Sequence, residues 1–227
     1  MPDPVKDLLK RMKNMVDPGR LAGGAHFGIN ISNRFGLRMP EIRGLAKENG
    51  LDHDLALGLW QSGNADARIF ATLIADVSRV DDALMDVWVE DFDSWDVCDQ
   101  CCINLFRRHP RAWSRIDVWA ARDEEYVRRA AFALTATLAV HAKKEPDSRF
   151  IGLLPLIETH SDDDRNFVKK AVNWALRQIG KRNRALNAEA IACAKRLQVR
   201  DTRAANWIAA DALRELQSDK VKARLKP

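Results

Sequence analysis

Residues 91–102 read DFDSWDVCDQCC, which places four aspartates, a tryptophan and three cysteines within twelve positions. Such a set could hold a metal, start a helix, or act on a cation. Ser94 or Asp93 is a natural N-cap and His109-Pro110 a natural stop, so the spacing predicts a helix from about Trp95 to Arg108. On that helix Cys98, Cys101 and Leu105 share one side. Trp95, Asp99, Cys102 and Phe106 share another, about 90° away. Cys98 and Cys101 then read as small core hydrophobes. Zinc would require a second ligand pair at defined spacing, and none recurs, so no metal is expected. Trp95 and Asp99, four apart, lie on one face. Asp99 sits too far inside the helix to cap it, and aspartate is a poor interior helix former. A carboxylate beside an indole can stabilise a developing positive charge and position a water. The plain alternative is a solvated carboxylate beside a half-buried tryptophan.

A second constellation lies in residues 161–183, SDDDRNFVKKAVNWALRQIGKRN. Asp162, Asp163 and Asp164 can cap a helix that Gly180 and Asn183 end. Lys170, Trp174, Arg177 and Lys181 fall on one face of it, and Phe167, Ala171, Ala175 and Gln178 form a separate face for the core. Cations alternating with an aromatic suit a phosphate backbone beside a base or sugar. The alternative is a core tryptophan flanked by Lys/Arg stems that lie along apolar surface.

These helices belong to a long helical series. Strand signals are sparse, and apolar residues recur at three and four almost throughout, so the chain reads as helices of about 10 to 17 residues with short polar breaks. Several begin alike: Arg68-Ile-Phe-Ala, Arg129-Ala-Ala-Phe-Ala, Lys170-Ala-Val-Asn-Trp and Arg203-Ala-Ala-Asn-Trp. Their spacing, roughly 30 to 45 residues with a longer first step, suggests an all-α solenoid of HEAT-like helical repeats, with an irregular bundle as the alternative. Stacked helical pairs bury faces that no single pair can bury alone, and basic residues repeated once per unit would line a concave basic face. One curved domain is expected over residues 1–227, with residues 1–34 as a helical cap. Trp60, Trp88, Trp113 and Trp119 are expected to pack in the core or between repeats.

Charge is unevenly placed. The 227 residues carry +5, but Asp76 to Asp99 holds nine carboxylates and one arginine, while Arg149 to the C-terminus holds seventeen Lys+Arg against nine Asp+Glu. The back third is therefore where a nucleic acid or another polyanion would dock. No apolar run reaches the length of a signal peptide's core or of about twenty residues, so a cytoplasmic protein with reduced thiols and no membrane contact is expected.

Together SWDVCDQ, YVRRAAFAL and FVKKAVNWALRQIGKRN resemble the AlkD family of DNA alkylation repair enzymes, HEAT-like-repeat glycosylases that excise N3- and N7-alkylated purines. The resemblance covers about residues 35 to 215. It implies that Trp95 and Trp174 are the active-site tryptophans, that Asp99 is the catalytic aspartate, and that Arg129 contacts the DNA backbone near the lesion. Arg128, Lys170, Arg177 and Lys181 are the further expected phosphate contacts. The family's N-terminal tyrosine has no counterpart: the one tyrosine is Tyr126, and residues 20–34 offer His26 and Phe27. Relatives with altered active-site residues have lost base excision and bind unusual DNA structures. This chain keeps the Trp, Asp and Trp positions, which implies the excising branch. The expected partner is double-stranded DNA with alkylated bases, bound by a monomer without cofactor. The competing readings are a non-catalytic binder of bent or branched DNA and a protein-binding scaffold.

Overall fold

The computed structural model describes residues 3–225, and every regular element among them is helical. The chain divides into two compact units, one ending at Pro110 and one beginning at Arg111. The first holds α1 (Pro4–Lys13), α2 (Pro18–His26), α3 (Met39–Asn49), α4 (His53–Gln61), α5 (Ala65–Ile74), α6 (Asp82–Glu90) and α7 (Trp95–Asn104). The second holds α8 (Ala112–Ala120), α9 (Glu125–His141), α10 (Asp147–Ile151), α11 (Leu154–Thr159), α12 (Asn166–Gly180), α13 (Arg184–Gln198), α14 (Arg203–Leu216) and α15 (Asp219–Lys222). Within residues 1–34 the described part is helical in α1 and α2, and the chain then runs through turns and irregular backbone to Arg38.

Short polar residues set the helix starts. Asp3, Asp52, Asn64, Asp81, Asn183 and Thr202 each accept a backbone N–H of the helix they open, which satisfies donors that the helix itself cannot. Part of the acidic run is used in this way. Arginines close several helix ends. Arg68 Nε donates to the Trp60 carbonyl at the end of α4 (3.3 Å), and Arg128 Nε donates to Ala120 at the end of α8 (3.1 Å). Arg182 donates to Ala139 and Ala142 at the end of α9 (2.6 and 3.2 Å), and Arg200 donates to the Glu158 carbonyl in α11. Orphan C-terminal carbonyls and the negative end of the macrodipole both favour a cation there. The recurrent arginines thus serve the fold, and Arg68 finds its structural counterpart in Arg128, not in Arg129.

In the first unit α4 packs on α1 and α5, and α5 packs on α3 and α7. Trp60 and Trp88 stack with ring centroids 3.9 Å apart, and the Trp60 indole donates to Asp91 at 2.7 Å. Trp60, Trp88 and Trp119 are buried, whereas Trp113 is half-buried and carries the Arg149 guanidinium over its ring. In the second unit α9 is the central helix, packed on α8 and α12, and α12 meets α13 and α14. Five buried alanines of α9 (Ala130, Ala131, Ala133, Ala136 and Ala139) let these neighbours approach closely. The buried seam of α12 is Val168, Ala171, Val172, Ala175, Leu176 and Ile179. Each large aliphatic there contributes about 1.5–3 kcal/mol by leaving water. Phe167 and Gln178, expected in that seam, are only half-buried. At the end of α12 a Cβ on Gly180 would lie 2.8 Å from Ala190 Cβ and 2.7 Å from Leu216 Cδ2, so glycine is what lets α13 and α14 close on it.

Two helix ends differ from expectation. The helix opened by Ser94 stops at Asn104, and a separate 3₁₀ turn covers Phe106–Arg108, because Leu105 and Phe106 both turn into the core. The α12 helix begins at Asn166. The preceding aspartates form a loop, and Asn183 opens α13 by accepting the Leu186 N–H.

Candidate functional site

In the first unit, α7 starts at a buried Ser94 whose hydroxyl does not cap the helix. It donates instead to Asp96 Oδ1 at 2.6 Å. Asp96 Oδ2 in turn receives Arg34 Nη1 at 2.6 Å. The Arg34 side chain is 8% exposed, and its Nε lies 3.6 Å from Asp66 Oδ1. The other Asp66 oxygen accepts the N–H groups of Phe35, Gly36 and Leu37 at 2.9, 2.6 and 3.2 Å. Gly36 has φ +79°, which lets three successive N–H groups converge on one oxygen. Burial pushes the Asp66 carboxyl above its ordinary value, against the pull of Arg34 and these N–H groups.

The same strand of chain reaches the tryptophan. The Trp95 indole donates to the Phe27 carbonyl at 3.1 Å, and the Asn30 amide reaches Asp93 at 2.7 Å. The Phe27 ring is 71% exposed and meets the His26 ring edge-on at 5.4 Å. Trp95 and Asp99 are both half-buried, one turn apart on α7. Cys98, Cys101 and Cys102 are all buried, so Cys102 joins the core side and not the Trp95 side. Burial pushes the Cys101 thiol well up and carries Cys193 to about 12, which leaves both un-ionised and unreactive at neutral pH. Among the described residues no group of three or more His, Cys, Asp or Glu could hold a metal ion. No helix among them is long and apolar enough to cross a membrane.

In the second unit, Lys170 is exposed and Trp174 half-buried on α12. With its amide oxygen turned toward them, Gln178 accepts from the Trp174 indole at 3.1 Å and from Lys181 Nζ at 3.3 Å. Arg177 Nη1 pairs with Glu215 Oε2 at 2.6 Å and reaches Asp211 at 3.4 Å, while Lys181 Nζ pairs with Glu215 Oε1 at 2.8 Å. Burial would raise the Glu215 carboxyl, but Lys181 and Arg177 hold it below the ordinary glutamate range. Arg129 on α9 is 5% exposed and donates to the Phe167 carbonyl at 2.6 Å. Trp207, the counterpart of Trp174 in α14, is 41% exposed with Lys169 Nζ 5.3 Å from its ring.

Arg128 is held internally. Besides Ala120, it pairs with Asp163 at 2.9 Å and Asp123 at 3.0 Å. Burial raises the Asp163 carboxyl, but hydrogen bonds from Arg165 and Arg128 win and bring it to about 2. A depressed carboxyl adds stability above its unfolded value near 3.8 and loses it as pH falls through the folded value. Asp163→Asn should therefore cost roughly 2 kcal/mol at neutral pH and flatten the acid limb between about pH 4 and 2. Thermal melts across that range check this, and an unchanged limb would exclude the pair as an acid-sensitive contact.

The structure thus places Trp95 with Asp99 in the first unit, and Lys170, Trp174, Arg177, Lys181, Arg128 and Arg129 in the second. Arg34, Asp96, Asp211 and Glu215 were not singled out from the sequence. No local signal marks them, since each meets its partner from a distant helix or loop.

Every described element is helical, the class of fold to which HEAT-like repeats belong. A solved structure described as a new family of proteins related to the HEAT-like repeat DNA glycosylases, with affinity for branched DNA structures, matches with TM-score 0.77 at 20% identity. That match covers 92% of this chain and 94% of the other. The DNA alkylation repair enzyme family model matches residues 8–216, and the chain belongs to that family. A designed armadillo repeat protein bound to a (KR)4 peptide matches with TM-score 0.40 at 13% identity, over 81% of this chain and 78% of the other. No curated protein matches the sequence.

Proposed function

We propose that the protein is a DNA glycosylase that hydrolyses the N-glycosidic bond of N3- or N7-alkylated purines in duplex DNA. The observation that carries this reading is the Trp95–Asp99 pair. It stands one turn apart on a helix whose first residues are fixed by the Arg34–Asp96 ion pair and the Phe27 carbonyl, in a chain of the DNA alkylation repair family. An alkylated purine is already cationic and leaves readily. The C1′–N bond breaks, its electron pair departs with the neutral base, and the sugar becomes an oxocarbenium ion. Asp99, as carboxylate, stabilises that cation and orients the water whose oxygen adds to C1′, and the water's proton is lost to the carboxylate or to solvent. Trp95 and Trp174 offer ring faces to the sugar and backbone. Phe27 supplies an N-terminal aromatic ring without a hydroxyl. Lys170, Arg177 and Lys181 hold phosphates, and Arg129 adds its charge from beneath the surface.

Release of 7-methylguanine and 3-methyladenine from methylated duplex DNA tests the reading. A second reading is a non-catalytic binder of branched DNA, favoured by the affinity for branched DNA structures with which the structural relative is described. Binding of a four-way junction without base release would establish it in place of the first.

The Glu215 pairs add a charge prediction. A phosphate that engages Arg177 or Lys181 must displace a carboxylate already there. Glu215→Gln should tighten binding to undamaged duplex several-fold, by about 1 kcal/mol. Arg177→Ala should weaken it and lower the salt slope by about 1. Fluorescence titrations at several salt concentrations measure both; unchanged affinity in both variants would remove Arg177 from the DNA contact.

A further inference from the structure

Beyond Lys181 the C-terminal end of α12 opens into two adjoining cavities of about 560 and 470 Å³, which share Gln178, Lys181 and Arg224. Lys143, just after α9, lines the first; Lys220 and Glu215 line the second. The carboxylates here are already engaged. Glu145 pairs with Arg149 at 2.7 Å, Asp147 accepts from Asn183 Nδ2 at 2.9 and 2.8 Å, and Glu215 holds Arg177 and Lys181. Arg182 is also committed: it closes the end of α9 and lies 3.9 Å over the Phe150 ring. Three cations are left over. Lys143, Lys220 and Arg224 are exposed and make no ion pair with any described residue. They do not converge on one point, because Lys143 and Lys220 line different cavities and Arg224 lines both. Charge distributed in this way matches a polyanion better than a single small anion.

We propose that this cleft is a further nucleic-acid surface, which takes the sugar–phosphate backbone of the bound duplex beyond the stretch contacted through Trp174. The inference rests on the DNA reading above and extends its footprint. Lys181 lies seven residues past Trp174, about 10 Å along α12 at 1.5 Å per residue, or about three base-pair steps. Gln178 joins the two regions, since it accepts from both the Trp174 indole and Lys181 and also lines both cavities.

The experiment compares wild type with the triple variant Lys143→Gln, Lys220→Gln, Arg224→Gln, and with Arg224→Glu alone. Binding to an undamaged 30-base-pair duplex is titrated over a salt series, and 7-methylguanine release is followed at saturating enzyme. Removing three phosphate contacts should lower the salt slope by up to about 3 and weaken binding at least tenfold at low salt, with release from the saturated complex unchanged. Arg224→Glu should lower the slope by about 1 or more. An unchanged slope in both variants overturns the cleft. The salt slope decides the cleft and base release decides the glycosylase reading, so a protein that binds but does not excise overturns only the latter.

Discussion

Asp99→Asn should reduce 7-methylguanine release by about 10²–10³-fold, the usual cost of losing one preorganised electrostatic stabiliser. Affinity for undamaged duplex should stay within about twofold, because the charge acts on the transition state and not on the bound ground state. The substitution keeps the shape of the side chain, removes its charge and turns one acceptor oxygen into an NH2 donor. Asp99 is half-buried on α7, so the exchange leaves the buried Cys98, Cys101 and Cys102 of that helix in place. Single-turnover release, measured beside wild type, reads the effect. A normal rate would return Asp99 to the role of a surface carboxylate and leave the family's chemistry to some other group.

The second large effect concerns support, not chemistry. Asp66→Ala removes a carboxylate that is 2% exposed and that accepts three backbone N–H groups from residues 35–37. Three donors, those N–H groups, then lose their acceptor at once, and the Arg34 guanidinium loses a charge partner. Breaking a buried pair of this kind costs about 3–5 kcal/mol, because the remaining partners stay desolvated. For a chain of this size that is a drop of roughly 10 °C in melting temperature. Asp66→Asn keeps an acceptor for the N–H groups and should cost less than half as much. A melt of Asp66→Ala within a degree or two of wild type would show that the 35–37 turn closes without it. The consequence should reach the α7 helix, since Arg34 also holds Asp96. Trp95 fluorescence should shift toward the solvent-exposed range in the same variant.

The sequence by itself determined the helical class and the start of the Trp95 helix, whereas α12 starts later than its aspartates suggest and Phe167 and Gln178 of its expected core face are only half-buried. Helical class and helix start are local properties. Caps act within three residues, and apolar spacing repeats every turn; Asn64, Asp81 and Thr202, residue types that favour helix starts, each open one. Family-like motifs around Trp95, Asp99 and Trp174 were legible for the same reason, being short segments on single helices.

Tertiary structure alone decided how each cation is used. Arginine at a helix start reads the same whether it will meet a phosphate or close a neighbour's carbonyls. Arg128 and Arg182 turned inward to helix ends, while Arg177 and Lys181 met Glu215, which lies more than thirty residues further along. Only Lys170 of the expected phosphate contacts stands exposed and without an ion pair among the described residues. The support of the Trp95 helix was equally hidden, because Arg34 and Asp96 are separated by five helix starts in the chain. A Coulombic partner is chosen by distance in space, and composition carries no record of it.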